Sequence, residues 1–456
     1  MPDASISNPS FFGDFPKAFA GLLSESTCQR IFASHGPRNS GIPKLTGWQW
    51  LMARVYHAMA PAGTFATHVK QIALTDISDS ALSQRGQSIG SELLAEVMAE
   101  VLRPLADPVL HPGAFYHGLR LLALDGTRFD LRNTAAINAQ AVKTRCYQAD
   151  GQPAFAHLLA VVLVELGVHQ PLAAVFGWQG EGEIPLARRL CSISSIPPRS
   201  LLLGDRLFGT PSLLWELLPV LRANDSDFLM RVRSNIKVTR ERRLEDGSWL
   251  VSVPVIDTAN RRKLGTIQVR EILADIRLEK GGEPLQVRLW TSLLDAGAHP
   301  ALELVELYAG RWEQELFFRE LKSHLHGRAG LLDAQTPGTA VQEAQAMLLA
   351  AALIAGQRAA VAQAAGVEVL RVSFAQVHQQ TVALCQLFAL GHDLIGTSER
   401  AEWTRRVLDQ LSQTATIRRR KPRSCQRAIR QPFKGWTKMK TPTSTALIKI
   451  ITISKP

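Results

Sequence analysis

The chain has 456 residues, 46% of them hydrophobic and 20% charged, a composition typical of a globular protein with roughly two to four domains. Its five cysteines are scattered, and none lies at the spacing of a zinc site, a redox motif or a disulfide framework, which favours a reducing compartment. The first residues lack a charged lead into an apolar run, and the most apolar stretch, 346–355, is about half a bilayer span, so we expect a cytoplasmic protein without membrane association.

The N-terminal region, residues 1–112, is predicted to be a helical domain. A short helix beginning at Asp79 after a turn resembles the second helix of a helix-turn-helix, although small helical domains often contain such pairs. Trp48 and Trp50 precede or enter a helix, and their spacing fits packing residues better than DNA contacts.

Residues 113–226 alternate between apolar strands and helices, which predicts a mixed α/β sheet. Asp125 follows the apolar run 119–124, and Asp205 follows the short buried strand 201–204. Ligands of open α/β sheets bind beyond strand ends, so the two carboxylates are expected to converge. Taken singly, aspartates at strand ends are more often turn or capping residues.

Residues 227–296 are β-rich, with four predicted strands separated by Asp-Gly and Gly-Gly turns, and are interpreted as an all-β insertion. Helix is predicted to resume near residue 300 and to dominate 297–395. His117, His157 and His169 lie beside or within apolar strands and are interpreted as hydrogen-bonded core or turn residues rather than ligands.

The C-terminal tail, residues 396–456, carries the whole excess of the +12 net charge. Residues 418–456 contain twelve Lys or Arg and no Asp or Glu, which leaves 40 basic residues to balance 40 acidic ones elsewhere. Basic runs interleaved with aromatic residues such as Phe433 and Trp436 are typical of an electrostatic arm for a polyanion. A solvated terminus without a partner is the alternative.

A predicted helix over residues 308–322 concentrates polar chemistry on one side. At about 100° per residue, Tyr308, Arg311, Glu315 and Lys322 fall within an arc of roughly 60° beside an apolar stripe, whereas Glu313 and Glu320 point elsewhere. A carboxylate flanked by cations suits a metal site beside a phosphate. An exposed helix laced with ion pairs is the competing interpretation.

Asp125, Asp205 and Glu315 together form a set of three hard oxygen ligands. Such a set suits Mg²⁺ or Mn²⁺, and two such ions can bind the attacking and leaving oxygens of an in-line phosphoryl displacement. The sequence contains neither a Gly-Lys-Ser/Thr phosphate loop nor a Gly-x-Gly-x-x-Gly motif, so no nucleotide cofactor is expected.

The motifs that carry these residues resemble those of the DDE transposases of the insertion-sequence-4 family of bacterial mobile elements. The spacing of Tyr308, Arg311, Glu315 and Lys322 matches that family's third catalytic block at every position. The first block is matched by Leu124-Asp125-Gly126-Thr127 with Asn133-Thr134, and the second by Leu203-Gly204-Asp205-Arg206-Leu207-Phe208. The resemblance covers roughly residues 35–360.

The resemblance implies an α/β fold with a ribonuclease H-like catalytic core, interrupted by the β-rich insertion, between an N-terminal helical DNA-binding domain and a basic C-terminal tail. It implies that Asp125, Asp205 and Glu315 hold two Mg²⁺ ions, for which Mn²⁺ is a substitute. Tyr308, Arg311 and Lys322 are then phosphate contacts. Some relatives stack a flipped base on a Trp of the insertion, for which Trp290 is the candidate, with a buried core Trp as the alternative.

The activity implied is cut-and-paste transposition. The enzyme cleaves the terminal inverted repeats of its own element and transfers the freed 3′-hydroxyl ends into target DNA, as a homodimer in the synaptic complex. Two other hypotheses are a catalytically inactive or domesticated DNA-binding derivative and a ribonuclease H-like nuclease unrelated to transposition. The three intact carboxylates argue against the first, and the four-residue block with the inserted β region argues against the second.

Overall fold

The structure is a computed structural model that describes residues 21–36, 44–60, 62–141, 155–178, 180–193, 196–257, 260–278, 285–325, 331–391, 393–417, 423–424 and 446–453. The last two segments are described by their backbone. The basic runs of the tail around residues 418–422 and 433–440 lie outside the described residues.

The N-terminal region is helical, as predicted. Its helices are α1 (Glu25–His35), α2 (Gly47–Met59), α3 (Phe65–Ala73) and α4 (Asp79–Val101). Helix α4 is kinked at Gly90, whose φ of 71° and ψ of 160° are non-helical, so its first half forms a short helix after the turn that follows α3. Trp48 and Trp50 are buried in the core of this region, which confirms that they are packing residues.

The centre of the molecule is a mixed sheet. Its strands are β1 (Phe115–Tyr116), β2 (Leu119–Leu131), β3 (Ala156–Glu165), β4 (Gln170–Trp178), β5 (Ser200–Gly204) and β6 (Asp227–Arg231). The order is β4-β3-β2-β5-β6, in which β2, β5 and β6 are parallel and β3 runs antiparallel to both its neighbours. A short helix α5 (Ala135–Gln140) follows β2, and α6 (Glu183–Ile193) and α7 (Pro211–Ala223) form the crossovers to β5 and β6. This arrangement confirms the expected ribonuclease H-like core.

The β-rich insertion shares its sheet with the core. Its strands are β7 (Thr239–Arg243), β8 (Trp249–Ile256), β9 (Lys263–Leu278) and β10 (Leu285–Thr291). The predicted boundary at residue 227 was wrong, because β6 pairs in parallel with β5 and is a core strand. Since β10 pairs with β6 and β9 with β10, backbone hydrogen bonds join the insertion to the core without a break.

The helices after the insertion cover the sheet. They are α8 (Ala301–Ala309), α9 (Trp312–Arg319), a π-helical segment (Glu320–Leu325), α10 (Pro337–Ala365), α11 (Phe374–Leu390) and α12 (Thr397–Thr414). The short strand β11 (Leu331–Leu332) pairs with the end of β2. Helix α10 is apolar and long enough to span a membrane by length and composition, but 89% of its most apolar window is buried in the protein, as in a core helix.

The tail begins later than predicted. The boundary at residue 396 was wrong, because α12 is an ordered amphipathic helix that buries Val407, Leu408 and Leu411 in the same core as α10 and α11. Farther along, β12 (Arg423–Ser424) pairs with β13 (Ala446–Ile453), and β13 pairs antiparallel with β9 at the edge of the insertion.

Candidate active site

Asp125 and Asp205 lie side by side on neighbouring parallel strands. Leu124 of β2 is the register partner of Gly204, the last residue of β5, so the next residue in each segment is an aspartate: Asp125 within β2 and Asp205 directly after β5. Strand β2 does not end at Asp125, as the sequence suggested, but continues to Leu131 along β3. What ends there is the pairing with β5, which opens space between the two strands.

Two glycines beside these aspartates are required by close packing. A Cβ on Gly126 would lie 2.3 Å from Cδ of Glu183, the first residue of α6, so the absence of a side chain lets this carboxyl group approach β2. A Cβ on Gly204 would lie 2.4 Å from Sδ of Met230. Glu183 was missed by the sequence reasoning. Burial and the nearby Asp205 raise its pKa, so it is a fourth acidic group at this edge of the sheet.

The predicted single helix over residues 308–322 is divided into α8, α9 and the π-helical segment. The backbone N–H groups of Gly310 and Arg311 donate to carbonyls three residues earlier, 2.9 and 3.1 Å away, which tightens the turn between α8 and α9. The predicted separation of faces is nevertheless confirmed. Glu315 lies near Asp125, whereas Glu313 and Glu320 contact His169 on another side.

Two hydrogen bonds fix these helices on the sheet. Gln314 is fully buried, and its Nε2 donates to the carbonyl of Val162 at 3.0 Å. Val162 is the cross-strand partner of Asp125, so this bond sets the neighbouring Glu315 next to Asp125. The hydroxyl of Tyr308 donates to the carbonyl of Gly204 at 3.1 Å, directly before Asp205. Sequence reasoning missed Gln314, because an amide in a row of polar helix residues carries no signal of burial.

Arg311 bridges Asp125 on the sheet and Glu315 on the helix. Its Nη1 donates to Oδ2 of Asp125 at 3.0 Å, and its Nη2 lies 4.0 Å from Oε1 of Glu315. All three side chains are 13% exposed. Burial alone would lower the pKa of Arg311, but Tyr308, Asp125 and Glu315 raise it above its ordinary value, so the guanidinium stays charged.

The environment of Asp125 strongly perturbs its pKa. Burial raises its pKa, as do the charges of Asp205 and Glu315, and Arg311 offsets only part of the effect, which leaves the pKa at about 7. The three carboxyl groups repel one another, and together they can carry more negative charge than the single guanidinium of Arg311 balances. A cation brought to this position would relieve this excess.

Lys322 lies beside this acidic group, on the π-helical segment. Its Nζ is 5.5 Å from the centre of the Phe129 ring, on β2 beyond the aspartate. Burial lowers the pKa of Lys322 to about 8, although Asp130 and Glu315 favour its charged form. Burial also raises the pKa of Tyr308 to about 12, so its hydroxyl is a neutral donor at physiological pH. The structure therefore brings all six predicted motif residues into direct or electrostatic contact, and Lys322 lies at the margin through its interaction with Glu315.

Trp290 does not offer a stacking face, and this candidate was wrong. It lies on β10 between β6 and β9, is fully buried, and donates from Nε1 to Glu271 at 3.1 Å, so the alternative of a core residue is confirmed. An exposed aromatic ring near the acids is instead Trp312, which directly follows Arg311 and is 41% exposed. The sequence could have identified Trp312, because helical periodicity places it only about 40° around the helix from Tyr308.

The acids fit a divalent metal by their chemistry, because carboxylate oxygens are preferred ligands of Mg²⁺ and Mn²⁺. Their present arrangement is not a coordination shell. Among the described residues, no group of three His, Cys, Asp or Glu side chains is placed to hold an ion, and Arg311 is the cation in contact with Asp125. Binding an ion by all three acids therefore requires their side chains to move together.

Similarity to known proteins covers the segments that carry these residues. Residues 116–354 match the family described as "Transposase DDE domain". The chain is also 28% identical over 282 residues, 61% of its length, to "Transposase InsG for insertion sequence element IS4" of Escherichia coli (strain K12), of which the match spans 60%. A cryo-EM structure of a piggyBac transposase synaptic complex with hairpin DNA aligns with 11% identity and a TM-score of 0.43, covering 89% of this chain and 86% of that one. Because the family match covers more than half of its residues, including the strands and helices that carry Asp125, Asp205 and Glu315, the chain belongs to the transposase DDE domain family.

Proposed function

We propose that the protein is the transposase of an insertion sequence, and that it cleaves DNA at the element's terminal inverted repeats and joins the freed 3′-hydroxyl ends to target DNA. The observation that carries this proposal is the meeting of Asp125 and Asp205, on adjacent strands, with Glu315 on a helix fixed to the same strands by Gln314 and Tyr308. The 28% identity to an IS4 transposase supports the same activity.

Asp125, Asp205 and Glu315 are the residues that would hold two Mg²⁺ or Mn²⁺ ions. When bound, such ions acidify an attacking water and neutralise charge on the phosphoryl group. The role of Arg311 is to hold the scissile phosphate through its guanidinium fork, and Lys322 supplies a point charge to a neighbouring phosphate. Tyr308 orients Gly204 and hence Asp205 through its hydrogen bond, and contact between its ring or hydroxyl and DNA stays a prediction.

DNA binding would draw on basic surfaces outside the acids. Besides the tail, strand β7 and the segment before it expose four cations on the insertion, Lys237, Arg240, Arg242 and Arg243, of which Lys237 lies near the first turns of α6 and α7. These cations suit the phosphate backbone of a duplex. The N-terminal helices would read the inverted repeats, two copies of the chain would pair two ends in a synaptic complex, and the protein would act in the cytoplasm.

The test is cleavage of DNA that carries the inverted repeats flanking the coding region, with purified protein and Mg²⁺. We expect cuts at the repeat ends that require the divalent ion and that disappear in Asp125→Asn, Asp205→Asn and Glu315→Gln. Glu306→Gln, an exposed glutamate on α8, is the matched control and should cleave normally. Cutting without preference for the repeats would favour the nuclease hypothesis. Repeat binding without cutting would favour the inactive derivative.

A further inference from the structure

A buried group of four charged residues lies on the side of α9 away from the three acids. Nδ1 of His169 is 2.6 Å from Oε2 of Glu320, and Nε2 of the same ring is 3.1 Å from Oε2 of Glu313. Nη1 of Arg358 lies 3.5 Å from Oε1 of Glu320. His169, Glu320 and Arg358 are almost completely buried, and the side chain of Glu313 is 23% exposed. We call these four residues the His169 cluster.

The geometry defines the charge of the cluster. With Glu320 and Glu313 ionised, both carboxylates can only accept hydrogen bonds, so both ring nitrogens donate and His169 is an imidazolium. Burial alone would lower the pKa of His169, but Glu320 and Glu313 raise it overall, against the opposing charge of Arg358. Two cations therefore balance two carboxylates. Breaking such a buried set would leave an uncompensated charge, so its members are held together.

The cluster ties four elements to one another. His169 lies in the turn between β3 and β4 with a φ of 55°, in the left-handed region, so its ring is held by an unusual backbone conformation. Glu313 is in the first turn of α9, and Glu320 is the first residue of the π-helical segment. Arg358 belongs to the core helix α10 and also donates to the carbonyl of Val372 at 2.8 Å.

The two glutamates bracket Glu315 in the sequence. They are seven residues apart, which corresponds to about 10 Å along a helix axis. A single contact would let α9 turn about that point, whereas one imidazolium bound to both residues restrains rotation and sliding. Restraint at Glu320 also fixes the start of the π-helical segment, on which Lys322 lies.

We propose that the His169 cluster is a positioning device that sets Glu315 and Lys322 against Asp125 and Asp205. This proposal rests on the proposed function for its activity measurements, but the restraint itself is a property of the free protein. The four residues touch neither the substrate nor the ions. They act through the orientation of α9.

The first experiment measures the Mg²⁺ concentration that gives half-maximal cleavage of repeat-end DNA. In His169→Gln we expect this concentration to rise by about tenfold, as happens when residues supporting metal ligands are removed, with DNA affinity little changed. Ser226→Ala is the control, because Ser226 is also buried and its Oγ accepts a hydrogen bond from the backbone N–H of Ser200, but it lies at the end of β5 opposite Asp205. An unchanged half-saturating concentration in His169→Gln would overturn the proposal.

The second experiment measures amide hydrogen exchange of residues 312–325 without metal or DNA. Exchange in this segment should be about tenfold faster in His169→Gln, and unchanged in peptides from β2 and in Ser226→Ala. If the wild-type protein fails to cut DNA but exchange of residues 312–325 is faster in His169→Gln, the proposed function fails and the positioning role of the cluster is still supported. Unchanged exchange would refute the cluster whatever the activity. If His169→Gln does not fold, both measurements are made on Glu313→Gln instead. Glu313 lies at the partly exposed edge of the cluster, and glutamine keeps an acceptor oxygen but removes the negative charge.

Discussion

The helix that carries Glu315 has charged groups on two sides, and the two sides balance their charges differently. On the side of the His169 cluster, two carboxylates meet an imidazolium and a guanidinium in buried contacts. On the other side, Asp125, Asp205 and Glu315 surround the guanidinium of Arg311, and the pKa of Asp125 is about 7. We call the second group the acid face.

The comparison separates a structural use of buried charge from a functional one. The His169 cluster is neutral as a set, so it has no electrostatic need for a further ion. The acid face has more carboxylates than direct cations, and its excess charge is the condition that favours a metal ion and phosphates. The same helix therefore has one side whose charges are paired and hold it in place, and one side whose excess negative charge is available to bind a metal ion.

The largest expected effect comes from removing one cation from each side. Arg358→Met should lower the free energy of unfolding by about 3–5 kcal/mol, because Glu320 loses a buried partner. Arg311→Met should cost only about 1 kcal/mol, because Asp125 can take up a proton near neutral pH. Urea unfolding of both variants at pH 7 in chelator measures the difference. Equal losses would show that the two sides are energetically alike.

Asp125→Asn tests the excess charge of the acid face directly. The folded protein holds a proton on Asp125 up to about pH 7, whereas the unfolded chain releases it near the ordinary pKa of 3.8. Stability without metal should therefore fall as the pH rises between these values, and Asp125→Asn should remove that fall and be more stable by about 2 kcal/mol at pH 8.

Thermal unfolding in chelator across pH 4–8 measures this effect, and the same assay with Mg²⁺ tests ion binding without DNA. Mg²⁺ should raise the unfolding temperature of the wild type but not of Asp125→Asn, since an ion that binds only the folded state stabilises it. A pH-independent difference between the two proteins would contradict the charge assignment of Asp125.

Trp312 tests whether the exposed edge of the acid face contacts nucleic acid. Because its ring is 41% exposed, Trp312→Ala should change the free energy of unfolding by less than about 0.5 kcal/mol. Loss of a stacking ring should weaken binding to repeat-end DNA by about 1–3 kcal/mol, measured by fluorescence anisotropy. Trp403→Ala is the control, because Trp403 is similarly exposed but lies on α12. Equal DNA affinities of the two variants would remove Trp312 from the interface.

Local patterns in the sequence were sufficient to predict the acid face. Apolar runs before Asp125 and Asp205 identified neighbouring strands, and helical periodicity distinguished Glu315 from Glu313 and Glu320. These signals depend on residues close together in the chain. The family resemblance added the ribonuclease H-like class of the core and the roles of the motif residues.

The remaining features depend on contacts between distant residues. His169 meets glutamates 144 and 151 positions away, and nothing local to its turn indicates them. The alternation of residues along β10 did not show which face would be covered, so the sequence left both a stacking Trp290 and a buried core Trp290 open, and the structure has the buried one. The parallel pairing of β6 with β5 likewise moved a predicted insertion strand into the core.

The smallest expected effect concerns Lys322, whose charge borders the acid face. Burial lowers its pKa to about 8, so in the free protein the ammonium is present below that pH and is lost as the pH rises through it. Affinity for repeat-end DNA should therefore fall by at most about tenfold between pH 7 and 9. Lys322→Arg should show a smaller fall, because a guanidinium stays charged throughout, and the fall that remains comes from the ionisation of Asp125, whose pKa is about 7. Anisotropy titrations of both proteins without metal provide the measurement. A parallel loss of affinity in the two would place the titrating cation elsewhere and leave Lys322 outside the phosphate contacts.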